Sequence, residues 1–286
     1  GARQGRGTSP GPRKGNRNED YLAPYPRDRN DCNVLPVASY PPGTVIETWR
    51  KITTWGADPA FNMGLDEALL EAGEAPTLRL YSWRPDTLSL GYFQKVADVP
   101  GVDKAGMVVR RITGGGAIHH ARELTFSLTC DASHPIYKGP IKDSYERVHV
   151  AIQEALADFG IESTLRTDAS LDSDVSGTGM CFHHSTPLDI VWSNKKGVGS
   201  AQRRRGGRVL HHGSIKLDTT PLEGNIATAR SVGGPERPDA LAPHLTRALS
   251  KAFNIHFEPA APSPDERVAA QTRGPRYLHP DWVNKR

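Results

Sequence analysis

Apolar positions recur at helical spacing in three stretches of the chain and alternate along several shorter ones. In 143–159, Val148, Ala151, Ile152, Ala155, Leu156 and Phe159 fall at i, i+3, i+4, i+7, i+8 and i+11, which places them on one helical face. Asp143 followed by Glu146 predicts a capping-box start there, and Gly160 a left-handed stop. In 59–71, Phe61, Leu65, Ala68 and Leu69 share a face, with Asp58 placed to cap and Pro59 suited to the first turn. Residues 241–253 read as a third helix. Strands are predicted at 77–81, 88–92, 107–112, 117–120, 125–129, 188–192 and 209–217. Order begins near Val45, residues 163–180 read as a mobile polar loop, and the Pro-rich C-terminal stretch defines no element. Strands in pairs with helices between them predict a mixed β-sheet flanked by helices, α/β or α+β, and not a doubly wound parallel sheet.

Of the 286 residues, 37 % are apolar and 24 % charged, which suits a chain with a buried core and excludes a disordered or fibrous one. No apolar run approaches the roughly 20 residues that span a bilayer, and no basic-then-apolar leader pattern opens the chain. The expectation is a cytoplasmic protein without membrane contact. The net charge of +4 resides in the N-terminal segment 1–30, where seven Arg or Lys meet three acids. Residues 1–44 are rich in Gly, Pro, Arg and Asn and read as a disordered basic arm ahead of one domain over 45–286. The rest of the chain is neutral, so nucleic-acid binding by the folded part is not expected. Cys32, Cys130 and Cys181 are spaced for neither a disulfide framework nor a thiolate zinc site.

Candidate chemistry concentrates in three places. Arg110-Arg111-Ile112-Thr113-Gly114-Gly115-Gly116 ends a strand in a glycine run. Its N–H groups can approach a carboxylate, a phosphate or a bent acyl chain; a plain tight turn is the alternative. The run matches neither a P-loop nor a dinucleotide fingerprint. Cys181 lies in a polar, glycine-bearing stretch, an unusual place for a thiol that only fills a core. Lys196, with Lys195 beside it, sits on a turn predicted at 194–197. An ammonium beside the sulfur favours the nucleophilic thiolate; a passive loop cysteine is the alternative. Cys130 ends an apolar strand and reads as core. Six of eleven histidines form adjacent pairs, His119-His120, His183-His184 and His211-His212. Neighbours on a strand face opposite ways, so one ring of each pair is expected inside and the other solvated. Three inward rings on Zn²⁺ is the metal alternative, without a His-Glu-x-x-His helix to support it.

Five segments follow in order: Asn62-Met63-Gly64-Leu65-Asp66-Glu67-Ala68, Gly91-Tyr92-Phe93-Gln94, Arg110 to His120, Lys196-Gly197-Val198-Gly199-Ser200-Ala201-Gln202, and His212-Gly213-Ser214-Ile215. Together they resemble the catalytic domain shared by lipoate–protein ligases, biotin–protein ligases and octanoyltransferases, over residues 49 to 255. Glu123-Leu124-Thr125-Phe126-Ser127, and Cys181-Phe182 ahead of the Lys196 turn, are most similar to the cysteine-dependent octanoyltransferase branch. The resemblance implies that branch's fold and an acyl tunnel between the 110–116 loop and strand 209–215. It implies Cys181 as the acyl-thioester nucleophile and Lys196 as the residue that orients the acyl carbonyl and eases thiol ionisation. Arg110, Arg111, Thr113, Gly114, Gly115, Gly116, His120, Gly199, Ser200, Ala201, His212 and Gly213 are then substrate-binding, with no metal. The implied donor is acyl carrier protein; the acceptor is a lysine of a lipoyl domain or of the glycine cleavage H protein; no cofactor is needed. Ala121, His183-His184-Ser185 and His211-His212-Gly213 depart from the branch's pattern. They leave open an ATP- and Mg-dependent lipoate–protein ligase, and a non-catalytic acyl or lipoyl-domain binding protein.

Overall fold

The computed structural model describes residue 1 and residues 46–73, 75–167 and 169–286. The arm read at 1–44, Gly1 apart, lies outside the described residues, as does Cys32. β1 (Glu47–Ala57) leads into α1 (Pro59–Ala72). The Asp58 side chain caps α1 as expected, accepting from the N–H of Ala60 (2.8 Å) and Phe61 (3.2 Å). Then come β2 (Thr77–Trp83), β3 (Thr87–Leu90), β4 (Met107–Arg110), β5 (Ile118–His120) and β6 (Glu123–Asp131). α2 (Ile141–Ala157) starts just before the predicted capping box. Its cap is Pro140, without a side-chain bond, and Asp143 instead lies in the first turn, where a carboxylate complements the helix dipole.

β7 (Thr164–Leu165), β8 (Ile190–Trp192), β9 (Lys195–Arg205), β10 (Arg208–Lys216) and α3 (Pro238–Phe253) follow. The Pro-rich end forms β11 (Ile255–Ala260), α4 (Pro264–Arg273) and α5 (Pro280–Val283). The capping box belongs to α4, where Ser263 and Glu266 exchange bonds of 3.2 and 2.7 Å. No described helix is long and apolar enough to cross a membrane.

The strands form an eight-stranded mixed sheet, order β11-β1-β2-β6-β10-β9-β8-β7, and a three-stranded sheet, order β4-β3-β5. β1 runs parallel to both β11 and β2; the large sheet is antiparallel from β2 onward. Period two sorts the side chains of the large sheet. Leu78, Leu80, Leu124, Phe126, Leu128, Val209 and Ile215 face the apolar stripe of α2 (Val148, Ala151, Ile152, Ala155, Leu156) and the inner side of α3.

The opposite face is polar yet also covered, by α1 and the small sheet. Arg79 is fully buried there and pairs with Asp66 of α1. Asp66 further accepts from the Tyr81 hydroxyl (2.9 Å) and the Ser127 hydroxyl (2.9 Å). Burial works to raise the Asp66 pKa, but the Arg79 guanidinium and the His212 and Ser127 hydrogen bonds outweigh it and hold the carboxyl at about 2. α1 is therefore buried on nearly every side rather than on one face. α4 packs over its outer side so closely that a Cβ on Gly64 would sit 2.3 Å from the Ala270 carbonyl oxygen.

Candidate active site

The polar face carries the sequence's candidate residues to one place. After Arg111 the chain turns through Gly114–Gly116 and enters β5. Across from it, Ala117 and Met180 pair as a short parallel bridge: Cys181 N–H donates to Ala117 O (2.7 Å) and Ala117 N–H to Gly179 O (2.8 Å). The cysteine segment thus lies on the glycine loop. A Cβ on Gly116 would fall 2.7 Å from Cys181 N and 2.8 Å from its Cα, so only glycine permits this approach. Cys181 opens a single helical turn, with Phe182 buried beneath it.

Lys196 reaches the same point from β9. The turn predicted at 194–197 is tighter than that: Ser193 and Asn194 alone make it, with φ of 50° and 55°, and Lys195 already pairs with Trp192. Lys196 is therefore a strand residue, and the β8–β9 register shifts beside it. Its Nζ lies 3.4 Å from Cys181 Sγ, 3.0 Å from Cys181 O and 2.8 Å from Asp189 Oδ2. Burial by itself pushes the Lys196 pKa down; the Asp189 carboxylate and the facing thiol more than offset it and hold the pKa above the ordinary lysine value. A Cβ on Gly199 would stand 3.3 Å from both Sγ and Nζ, so any side chain there would crowd the pair. Beyond Val198, β9 has no β8 neighbour, and Gly199 there stands against the Cys181 sulfur.

A cavity extends from the sulfur. Gly114 and Gly115 form one wall, Gly199–Ala201 and His212–Ser214 the other, and Met63, Tyr81, Trp83 and Ile118 supply apolar surface. Arg111 and His120 also border it. Arg111 fixes the glycine loop from below, donating to the carbonyls of Ser89 (2.8 Å), Gly114 (2.7 Å) and Gly116 (2.7 Å). Burial lowers its pKa to about 10. Arg110 departs from the expected substrate role. As the neighbouring strand residue it points the other way, donating to the carbonyls of Gly91 (2.7 Å), Gln94 (2.7 Å) and Val283 (2.9 Å). Thr113 and Gly116 are not cavity walls either. Thr113 shares a hydrogen bond with His212 Nε2 (2.7 Å), and Gly116 supports Cys181.

His120 Nε2 bonds Ser89 Oγ (2.7 Å), its Nδ1 bonds Glu123 (2.5 Å), and Trp83 stacks on its ring at 4.2 Å. Burial lowers its pKa to about 4 despite Glu123, so the ring is neutral at pH 7. Glu123 also pairs with Lys216 (2.8 Å). The expectation of one solvated ring per histidine pair fails in two pairs. His119 and His120, and likewise His211 and His212, are all buried, because both faces of their strands are covered. His211 lies on the α2 side, where the Ser200 hydroxyl bridges it (2.9 Å) and His149 (2.7 Å). His183 bonds Glu223 O (2.6 Å), and His184 is exposed while its carbonyl receives Lys196 Nζ (3.3 Å). Among the described residues no group of three His, Cys, Asp or Glu is placed to hold a metal ion. Cys130 is buried as expected, and burial raises its thiol pKa far above the ordinary value.

Sequence reading missed Asp189, Glu123, Asp66 and the apolar wall of Met63, Tyr81 and Trp83. An acid just before the strand that turns back to Lys196 was the available signal for Asp189.

Known proteins match this arrangement. The model of the lipoyl protein ligase A/B catalytic domain matches residues 58–231. The octanoyltransferase LipM of Geobacillus kaustophilus is 40 % identical, and that of Moorella thermoacetica 32 %; each alignment covers 84 % of this chain and 99 % of the relative. Among solved structures, a lipoate-protein ligase A bound with ATP superposes with a TM-score of 0.66 at 21 % identity, over 84 % of this chain and 99 % of that one. The bipartite lipoate protein ligase of Thermoplasma acidophilum gives 0.66 at 20 %, over 83 % and 96 %. The structural likenesses establish the fold; with the family match and the relatives of like length, they show that the chain belongs to the lipoyl protein ligase A/B catalytic domain family.

Proposed function

We propose that this protein transfers an octanoyl group from the thioester of an acyl carrier protein, through Cys181, to a lysine of a lipoyl domain or of the glycine cleavage H protein. The observation that carries the reading is the Cys181 sulfur 3.4 Å from the Lys196 ammonium at one end of an apolar-walled cavity. Full-length relatives bearing the name octanoyltransferase support it. Burying the seven alkyl carbons of an octanoyl group at about 0.8 kcal/mol each contributes about 5–6 kcal/mol before ordering losses, enough to seat the chain with its carbonyl at the sulfur.

The Cys181 thiolate attacks the donor carbonyl; the new S–C bond forms as the donor thiolate departs and takes up a proton. The Lys196 ammonium stabilises negative charge on the sulfur before attack and on the carbonyl oxygen during it. The acceptor amine then attacks the acyl-Cys181 carbonyl. An amide N–C bond forms, the Cys181 S–C bond breaks, and the amine's proton returns to the thiolate. Exchange between thioesters is nearly isoenergetic and thioester to amide is downhill, so the route consumes no nucleotide. A nucleophilic thiol has to stay reduced, which supports the cytoplasm as the compartment of the reaction.

The test is transfer from octanoyl-carrier protein to an isolated lipoyl domain without ATP, followed by mass spectrometry. Wild type modifies the domain and Cys181→Ala does not. Modification that requires ATP, releases AMP and survives Cys181→Ala would make the protein a lipoate–protein ligase instead.

A further inference from the structure

A second cluster borders the cavity and takes no part in the chemistry above. Segment Gly91–Gln94 is tied to both loops of the site: Tyr92 N–H donates to Thr113 O (2.8 Å), and Gln94 Nε2 to Gly179 O (2.7 Å). A Cβ on the cavity residue Gly114 would lie 4.0 Å from the Phe93 ring, which is 65 % exposed. Cations gather on the rings of Tyr92, Phe93 and Trp282. Lys285 Nζ sits 3.3 Å from the Tyr92 centroid and 3.5 Å from that of Trp282. Arg203 lies 5.6 Å over Tyr92 and Arg286 5.7 Å over Phe93. Arg203 follows the wall residue Ala201 on the same face of β9.

No carboxylate among the described residues pairs with Arg203, Lys285 or Arg286. Lys285 Nζ is buried between the two rings, and among the described residues it has no hydrogen-bond partner. Burial and the surrounding arginines, Arg110, Arg286, Arg276 and Arg203, lower its pKa to about 8. Arg110 is spent on backbone carbonyls and Arg276 on Glu67 (2.6 Å). Outside the N-terminal segment 1–30 the chain has no net charge, so this is a local concentration of positive charge and not a general tilt. The cations spread around an exposed aromatic ring instead of converging on one point, and such a mix of arginine and aromatic surface suits a protein interface.

We propose that the rim formed by Arg203, Arg286 and Phe93, with the Lys285 charge beneath it, is the docking surface for an acidic carrier protein that delivers the acyl thioester into the cavity. The proposal rests on the donor assignment above. A donor held on a carrier must thread its acyl chain past this rim, and an anionic carrier face would neutralise cations that no described carboxylate pairs.

The experiment compares wild type, Lys285→Glu and the double variant Arg203→Glu/Arg286→Glu. Binding of fluorescently labelled apo-carrier protein is read by anisotropy at low and high salt. Cys181 acylation is read by mass with octanoyl-carrier protein, octanoyl-phosphopantetheine and octanoyl-pantetheine. Wild-type binding is expected to weaken with salt, and the charge reversals to weaken it roughly tenfold or more at low salt. Acylation by both small thioesters stays within about twofold of wild type, which also confirms an intact fold. Unchanged carrier binding, or equal losses with all three donors, overturns the surface. A loss shared by octanoyl-phosphopantetheine but not octanoyl-pantetheine overturns it in favour of a phosphate site. Salt-sensitive binding abolished by reversal, with no acylation of wild-type Cys181 by any donor, upholds the surface and overturns the thioester reading.

Discussion

Replacing Lys196 with methionine removes the ammonium and keeps most of the side chain's volume. At 3.4 Å from Sγ, a unit charge interacts with a thiolate by about 5 kcal/mol at an effective dielectric constant of about 20. That figure is a ceiling, because Cys181 is half-buried and water screens part of it. A realised share of about 1.5–3 kcal/mol corresponds to a reaction of the sulfur with iodoacetamide that is about 10- to 100-fold slower at pH 7. Lys196→Met also strands the Asp189 carboxylate, whose side chain is 7 % exposed. Breaking such a buried pair from one side costs about 3–5 kcal/mol of stability. Asp189→Asn/Lys196→Met removes both charges together and should recover most of that loss while leaving alkylation slow. The assay is the alkylation rate of Cys181 in each folded variant, with thermal unfolding alongside. Wild-type alkylation rates in both variants would refute the electrostatic role of Lys196.

Gly116→Ala forces a methyl group against the Cys181 backbone and should cost about 1–3 kcal/mol in thermal unfolding and more than tenfold in transfer rate; wild-type transfer would contradict the close approach of the two loops. Asp66→Asn leaves buried Arg79 without its carboxylate and should destabilise the fold by about 3–5 kcal/mol, read by urea unfolding. Acid lability has two stages. His120, with a pKa of about 4 against 6.5, binds a proton in the unfolded chain first, so stability should fall as the pH drops from 6.5 toward 4. Asp66, at about 2 against 3.8, contributes about 2 kcal/mol that is complete above pH 4 and is lost as the pH falls toward 2. An unfolding temperature that stays flat from pH 6.5 to 4 would show that His120 is not held neutral.

Two of the three helices legible from periodicity pack on one side; α1, buried on nearly every side, was also marked by its Asp58-Pro59 start. α2 and α3 bury one stripe against the sheet, so their apolar spacing is visible in the sequence. β1 and β11 pair from opposite ends of the domain, Glu47 opposite Ile255, and no local pattern reports such a partner. α4 was hidden by its prolines, although Ser263-Pro264-Asp265-Glu266 carries a capping box. In the site, Cys181 stood out because a thiol has few reasons to occupy a polar glycine-bearing stretch, and Lys196 because the strand that follows leads back past it. Arg110 and Arg111 did not separate, because strand alternation assigns opposite faces but not which face holds the cavity. Nothing local marks Asp189 or Asp66 in the sequence, and their importance arises from the buried cations they meet.

The central claim is that the Cys181 sulfur carries the acyl group. Intact-mass analysis of the protein mixed with octanoyl-carrier protein, without any acceptor, tests it most directly. The account predicts a gain of one octanoyl group, located on Cys181 by peptide mapping, released by hydroxylamine and passed on when a lipoyl domain is added. A protein that stays unmodified under these conditions while a full reaction mixture still yields octanoylated lipoyl domain would contradict it.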